Sequence, residues 1–442
     1  MKNCKRHLLA LTVVGLFGLN HAFATNPIIM DQFTADPTAR VFEGKMYLYP
    51  SHDMDQSKGQ IGRRGNWFAM ADYHVFSSEN LTDWTDHGVL IDQTNVPWLT
   101  RKANDMWAPE CVFKNGKYYF YFPAGGRIGV LTADHPEGPF KPEHAIAGAG
   151  GIDPCVLIDT NGDSYLYTAT QGVSVSKLKD NMIDLETQPL RITNLPTRGL
   201  VEGPFVFERK GIYYLTYPHA ATNAERLEYS ISTNPMGPFK WMGVFLDEAA
   251  SGCWTVHHSV VEYHNQWYLF YHDKQLSPNF DKNRSVKIDK LYFNDDGTIQ
   301  KVIPTLRGVG LVDAKSQIQI DRYSAISDTN GVSASFLDTN NTFAGWKISL
   351  NGKKTWVEFD DVDFGKGGLK SVNARSQSAT GGTFEIHADK VNGPVLAKVK
   401  IEKGSDWAIA KAKASKVPSG VHNLFVTHDE DNDVDIDWVS FQ

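Results

Sequence analysis

Three acids stand in turn-forming contexts, each just ahead of a short apolar run. They are Asp36 in "TADPTARVF", Asp153 in "GGIDPCVLI" and Glu202 in "LVEGPFVFE". Taken singly, Asp-Pro and Glu-Gly-Pro are ordinary ways to start a turn. Gathered in one pocket, they could hydrolyse a glycosidic bond. One protonated carboxyl group gives its proton to the leaving oxygen, while an ionised one activates water on the other face of the sugar. Crowding helps, because a neighbouring anion raises the pKa of the acid partner and keeps it protonated near neutral pH.

The elements around these acids repeat. Hairpins of one type read "ADPTARVFEGKMYLYPSHD" (35–53), "WAPECVFKNGKYYFYFPAG" (107–125), "GIDPCVLIDTNGDSYLYTA" (151–169), "VEGPFVFERKGIYYLTYPH" (201–219) and "VHHSVVEYHNQWYLFYHD" (256–273). Each has a short apolar strand, a turn rich in Gly, Asn or Lys, and a strand of alternating aromatics. Their starts lie roughly 45 to 70 residues apart, the scale of four-stranded propeller blades. A second repeat, "TADHPEGPFK" (132–141) and "STNPMGPFK" (232–240), follows two of the hairpins, with "SSENLTDWTDHG" (77–88) in the matching place after the first. No stretch here reads as a long amphipathic helix. The pattern predicts an all-β fold, with a five-bladed β-propeller over residues 25–312. The first strand of each propeller blade lines the central channel, so residues at the strand starts converge on one axial pocket. These starts offer Asp36, the segment Trp107–Glu110, Asp153, Glu202 and the pair His257-His258.

The motifs "ADPTA", "GIDPC" and "VEGPFV", in this order, make residues 27–312 resemble glycoside hydrolase family 43, inverting propeller enzymes that act on arabinose- and xylose-containing polysaccharides. The resemblance implies Asp36 as general base, Glu202 as general acid, and Asp153 as the residue that tunes and orients that acid. It also implies that Arg284, in "KNRSVKIDKLYFNDDG", contacts substrate, and that His258, counted with the substrate-binding residues, is a central histidine near the channel axis, able to bind water or a cation. Trp107 offers an aromatic face for stacking on a sugar. Glu110-Cys111 in "WAPEC" resembles the Glu-Cys acid of retaining fructosidases, but here it precedes Asp153 where theirs follows the second Asp-Pro motif. Glu110 is therefore expected to pack or hydrogen-bond near the rim.

Beyond about residue 315, Gly, Ser, Thr and Asn rise and no blade hairpin recurs. Short strands such as "GTFEIHAD" and "HNLFVTHD" predict a β-sandwich of jelly-roll type over 316–442. The pieces "IQIDRYSAIS", "WVEFDDVDFG" and "VDIDWVSF" resemble a family 6 carbohydrate-binding module. That resemblance implies Trp346 and Trp407 as the sugar-gripping aromatics, with Asp435 where an asparagine is usual. Gln319 and Asp321 stand where the family has two glutamates near a structural calcium, which puts calcium in doubt. No metal or cofactor is expected to be required for the chemistry.

Of the 442 residues, 41% are hydrophobic, ample for packed cores, and the formal charge is -7. With no long Lys/Arg run, nucleic acid and anionic membrane surfaces are not expected partners. Residues 1–24 have a basic head, an apolar run from Leu8 to Leu19 and a small-x-small close at Ala22-Phe23-Ala24. They read as a cleavable signal peptide with no membrane anchor, which implies a secreted or periplasmic protein. Three cysteines would remain, Cys111, Cys155 and Cys253, too few and too scattered for a disulfide framework. The expected function is release of α-L-arabinofuranosyl, and also β-D-xylosyl, units from arabinoxylan-type plant cell-wall polysaccharide. A β-xylosidase or endo-arabinanase on the same scaffold is the alternative enzyme, and a non-catalytic sugar-binding protein the alternative of another class.

Overall fold

A computed structural model describes residues 26–56, 67–170, 172–328 and 330–442; the expected signal peptide lies outside them. The described residues form no α-helix. Five antiparallel sheets come first. Blade 1 comprises Thr34–Phe42, Lys45–Asp53, Met70–Ser78 and Thr85–Asp92; blade 2 comprises Glu110–Lys114, Lys117–Ala124, Arg127–Ala133 and Lys141–Gly150. In blade 3, Ile152–Ile158, Ser164–Ala169, Val173–Leu178 and Leu190–Arg191 follow one another across the sheet. The inner strand of blade 4 is split into Leu200–Val201 and Phe205–Arg209, both on Ile212–Ala220, with Arg226–Ser232 and Lys240–Leu246 outside. Blade 5 has His258–Tyr263, Gln266–Asp273 and Ser285–Leu291.

The aromatic strands are apolar on both faces because neighbouring blades cover both. In "KYYFYFPA" (117–124), Tyr118 and Phe120 pack with Tyr49 and Tyr73 of blade 1, whereas Tyr119 and Tyr121 pack with Val156 and Leu166 of blade 3. Residues of blades 3, 4 and 5 share one core, and Leu48 and Phe76 meet Phe270 and Ile288 where blade 5 returns to blade 1. The ring is closed by the N-terminal segment. Ile28 N–H bonds to Val286 O (2.9 Å), Thr34 N–H to Arg284 O (3.0 Å), and the Asn26 side chain donates to Ile288 O (3.0 Å). Residues 26–34 thus run along the free edge of blade 5, which has three strands of its own.

The C-terminal part is two facing sheets. One runs Val312–Asp313, Thr355–Asp363, Val421–His428, Gly382–Ala388, Val395–Ile401, with Ala325–Ile326 on Thr355–Asp363. The other runs Val332–Phe336, Trp346–Asn351, Asp433–Phe441, Ser371–Ser378, Gly404–Lys413, with Ile318–Gln319 on Asp433–Phe441. Period-two alternation buries Ile348, Phe359, Phe384, Val426 and Ile436 between them. Strand Val312–Asp313, at the expected end of the propeller, pairs with Val362–Asp363 of the sandwich.

Sandwich and propeller pack directly. Trp346 sits with Phe33 and Leu276, Arg322 Nη1 donates to Asn26 O (2.9 Å), and Lys290 pairs with Asp361 (3.3 Å). The fully buried Arg307 donates from Nε to Asp360 O (3.1 Å).

Candidate active site

The three acids reach one pocket because the backbone is irregular where they stand. The pairing register of blade 1 shifts between Ala35 and Thr38, and that of blade 3 shifts at Asp153-Pro154. Asp36 and Asp153 both adopt left-handed backbone, φ 46° and 54°. Such a conformation costs on the order of 1–3 kcal/mol and clusters where function needs a side chain aimed off the regular pleat. Proline cannot donate to the ladder, which suits it to the following position. Glu202 occupies the equivalent interruption in blade 4, between Val201, paired with His219, and Phe205, paired with Thr216. After it, Gly203 (φ 50°) is required: a Cβ there would lie 2.8 Å from Pro218 Cγ and 3.0 Å from His257 Nδ1.

The resulting cavity, about 310 Å³, is lined by Asp36, Asp153, Glu202, Trp107 and Arg284, together with Trp67, Phe68, Trp254, Glu225 and His257. Trp67, Phe68 and Trp254 form an aromatic wall, the last two stacked at 6.0 Å. Trp107 is held at the wall by its backbone carbonyl, which accepts the Tyr73 hydroxyl (2.6 Å).

Electrostatics separate the carboxyl groups. Burial pushes Asp36 upward, but Arg284, His272 and His257 together with the Ser51 hydroxyl (2.5 Å) outweigh it, and its pKa falls to about 2. Arg284 Nη1 and Nη2 reach its two oxygens at 2.9 and 3.2 Å. Glu202 is shifted the other way. Burial and the Asp36 charge raise it, against a hydrogen bond with Glu225 and the pull of Arg284. Asp153 is raised well above the carboxylate range by burial and by Glu202 and Asp36, while accepting the Gly203 N–H (3.0 Å). His257 is held neutral, its pKa near 4, by burial and by Arg284. The site therefore sets a carboxylate of lowered pKa, Asp36, against two carboxyl groups of raised pKa, Glu202 and Asp153.

The profile "Glycosyl hydrolases family 43" matches residues 24–299, and "Carbohydrate binding module (family 6)" matches residues 325–442. The chain belongs to glycosyl hydrolases family 43. As such it is a glycoside hydrolase, a five-bladed propeller followed by a β-sandwich module of family 6. It is 35% identical over 327 residues to "Xylosidase/arabinosidase 43A" of Humicola insolens, covering 62% of this chain and 98% of that one. It is 29% identical over 467 residues to "Arabinoxylan arabinofuranohydrolase" of Bacillus subtilis (strain 168), covering 92% and 89%. Among solved structures it resembles a family 43 β-xylosidase/α-arabinofuranosidase from a compost microbial metagenome in complex with xylotriose, in a calcium-free form. The TM-score is 0.57 at 34% identity, with 64% of this chain and 98% of that chain covered. The Bacillus subtilis arabinoxylan arabinofuranohydrolase in complex with cellotetraose gives 0.56 at 25% identity, covering 95% and 99%.

Several expectations for this family 43 chain need correction. His258 does not line the cavity; its neighbour His257 does. Adjacent residues on a strand point to opposite sides. His258 is fully buried between Phe205 and Phe245, with Nε2 2.7 Å from Thr216 Oγ1, while its Nδ1 has no protein partner among the described residues. Such an atom suits a bound water or cation, not substrate. Arg284 lines the cavity, but its Nε, Nη1 and Nη2 are all taken by Asp36 and Asp53. It holds the carboxylate more than it offers donors to a sugar. Glu110 lies inside the propeller instead of near the rim. It is fully buried in an ion pair with Arg40 and accepts the N–H groups of Cys111 (2.7 Å) and Val156 (3.1 Å).

In the module, Trp346 and Trp407 do not grip one ligand. Trp346 shares the core-side phase of Ile348 and Leu350 and is buried at the propeller junction, with the Arg322 guanidinium 3.6 Å from its ring. Trp407 is on the outer face of the same sheet, beside Arg375 (5.0 Å), with two strands between it and the strand of Trp346. Asp435 is engaged by Lys347, Ser349 (2.6 Å) and Gln377 (2.9 Å). At Gln319 and Asp321, one oxygen of the buried Asp321 carboxylate pairs with Arg322 Nε (3.0 Å) and the other has no hydrogen-bond partner among the described residues, so the pair offers a cation one free carboxylate oxygen where the family has two glutamates. Elsewhere His52, Asp72 and His74 bring their ligand atoms within 4.8 Å, but His52 already bonds to Asp72 (2.6 Å) and His74 to Asp86 (3.1 Å).

Sequence reading missed Asp53, Trp254 and Glu225 as parts of the site, and of the pair His257-His258 offered to the pocket it gave the role to His258. His257 adjoins a residue the sequence singles out, whereas Asp53 only ends the first hairpin and "NAERLEYS" around Glu225 carries no turn motif.

Proposed function

We propose that this protein is an exported, inverting, exo-acting glycosidase that removes terminal α-L-arabinofuranosyl, and secondarily β-D-xylosyl, units from arabinoxylan-type polysaccharide. The observation that carries this reading is the meeting, in one small aromatic-walled cavity, of Asp36, whose pKa its charged and hydrogen-bonding neighbours hold low, with Glu202, whose pKa burial and the Asp36 charge raise. In this reading Glu202 gives its proton to the glycosidic oxygen as the C–O bond breaks. Asp36 takes a proton from the water that attacks the opposite face, and Asp153 orients and tunes Glu202. Trp107 and the wall of Trp67, Phe68 and Trp254 offer faces for the C–H-rich sides of a pentose. A cavity at the small end of the ligand-pocket range suits one terminal sugar better than the interior of a long chain. The chemistry needs no cofactor.

The names of the relatives support both pentoses, and the β-xylosidase reading is kept because xylosidases stand among them. The module supports attachment to polysaccharide, and the basic, then apolar residues 1–24 support export. Product analysis on arabinoxylan, arabinan and xylooligosaccharides tests the specificity. Free arabinose from arabinoxylan is expected, and internal cleavage of arabinan would overturn exo action. Proton NMR of the first-formed sugar is expected to show the inverted anomer. Retention, or alkyl glycosides formed in methanol, would mean that one of these acids acts as a nucleophile.

A further inference from the structure

One buried carboxyl group in the cavity has no part in the scheme above. Glu225 is 1% exposed, its backbone N–H donates to Trp254 O (2.9 Å), and its Oε2 accepts the Val256 N–H (2.9 Å). Among the described residues no N–H or O–H group donates to its Oε1. Glu202 lines the same cavity, and a hydrogen bond between the two side chains is among the influences on both pKa values. Two carboxylates have no hydrogen to share, so the contact exists only if one of the pair is protonated.

We propose that Glu225 is a positioning residue that carries this proton and donates it to one oxygen of Glu202, leaving the other free to face the glycosidic oxygen. The proposal rests on Glu202 being the proton donor. Burial and the Glu202 charge lift Glu225 well above the carboxylate range, and the hydrogen bond from Glu225 works to lower Glu202. The groups facing the pair agree with this order. Asp36 and Asp153 are acids, His257 is neutral, Arg284 is committed to Asp36 and Asp53, and Val256 supplies only its N–H. In turnover, the proton of Glu202 goes to the leaving oxygen, which keeps the bonding electrons, and the proton of water goes to Asp36. The Glu225 proton is not consumed. Its hydrogen bond becomes charge-assisted as Glu202 turns anionic, which strengthens it when the anion forms.

The test compares pH profiles of kcat/KM for wild type, Glu225→Ala and Glu225→Gln on arabinoxylan and on an aryl glycoside with a good leaving group. Glutamine keeps a carbonyl for Val256 and an N–H for Glu202; alanine keeps neither. Glu225→Ala is expected to move the alkaline limb up by about one unit or more, since an anion that loses a donor is harder to form. It is also expected to lower kcat on arabinoxylan on the order of tenfold to a hundredfold, with KM and the aryl substrate little affected. Glu225→Gln should restore the limb and most of the rate. If the alanine protein does not fold, Glu225→Met, which fills the space without a donor, takes its place.

A downward shift in Glu225→Gln would mean that Glu225 is ionised in the wild type and would overturn the proposal. So would an unmoved limb in folded Glu225→Ala, or a loss confined to KM, which would mark a sugar contact. Glu202→Gln is assayed alongside. Equal damage on both substrates there would remove Glu202 as the donor, a failure distinct from that of Glu225.

Discussion

Arg284 is the residue on which the electrostatics of the cavity turn. Burial is the largest influence on Asp36 and would raise its pKa; the guanidinium is the largest of those that reverse it. Asp36 therefore has a depressed folded pKa. The stability it contributes is present above its ordinary value of 3.8 and is lost as pH falls towards about 2, a difference worth about 2 kcal/mol. Arg284→Lys replaces a two-pronged grip by a point charge. It is expected to lower kcat/KM about a hundredfold and to bring the acid limb of the profile up from near pH 2 into the assayable range. An acid limb that stays put would show that Arg284 does not set the charge of Asp36. At this scale the three acids were legible because each lies in an Asp-Pro or Glu-Gly-Pro motif. His257 was not, because a His-His pair leaves open which ring faces the channel, and that phase depends on the register with Gln266–Asp273.

At the level of strands and bulges, the hairpins were legible from alternating aromatics and Gly-containing turns, and the left-handed Asp36 and Asp153 were not. A residue before proline is normally steered to extended backbone, so only tertiary context places these two otherwise. The module shows the opposite limit. The period-two pattern reads correctly that Trp346 lies on the inner face with Ile348 and Leu350, yet the sequence does not say that the propeller covers the end of that face. Trp346→Ala is expected to destabilise the protein by about 3–5 kcal/mol, seen as a lowered Tm, and to leave retention on insoluble arabinoxylan unchanged. Trp407→Ala should keep the Tm within about a degree, as expected of a surface position. Retention lost through Trp346 without any change in Tm would restore it as a sugar contact.

Taken whole, the molecule is a ring with a second domain fixed to its seam. Arg322 holds Asn26 O, and Trp346 covers Phe33 and Leu276. Removal of residues 313–442 would uncover both apolar side chains and release a hydrogen bond to the segment that closes the propeller. A protein ending at residue 312 is therefore expected to melt several degrees lower and to aggregate more readily on heating, followed by calorimetry and light scattering. If it folds, it should still cleave small aryl glycosides, because every residue lining the cavity precedes residue 285. A soluble, equally stable truncated protein would show that the domain contact carries little energy. The two-domain layout was legible from the change in composition near residue 315. The seam was not, since nothing in "NPIIMDQFT" marks it as the edge partner of residues 250 or more positions away.

That seam also has a consequence for synthesis. Asn26 and Ile288 are 262 residues apart in the chain, and a ribosome adding about 5–20 residues per second needs roughly 13–50 s to separate their appearance. Throughout that interval the first segment has no edge to join and blade 1 has no blade 5 to cover Leu48 and Phe76. The earliest-made part of the propeller is thus the last to be completed. The nascent chain needs a means of staying apart from its neighbours for tens of seconds before it can hold a sugar at all.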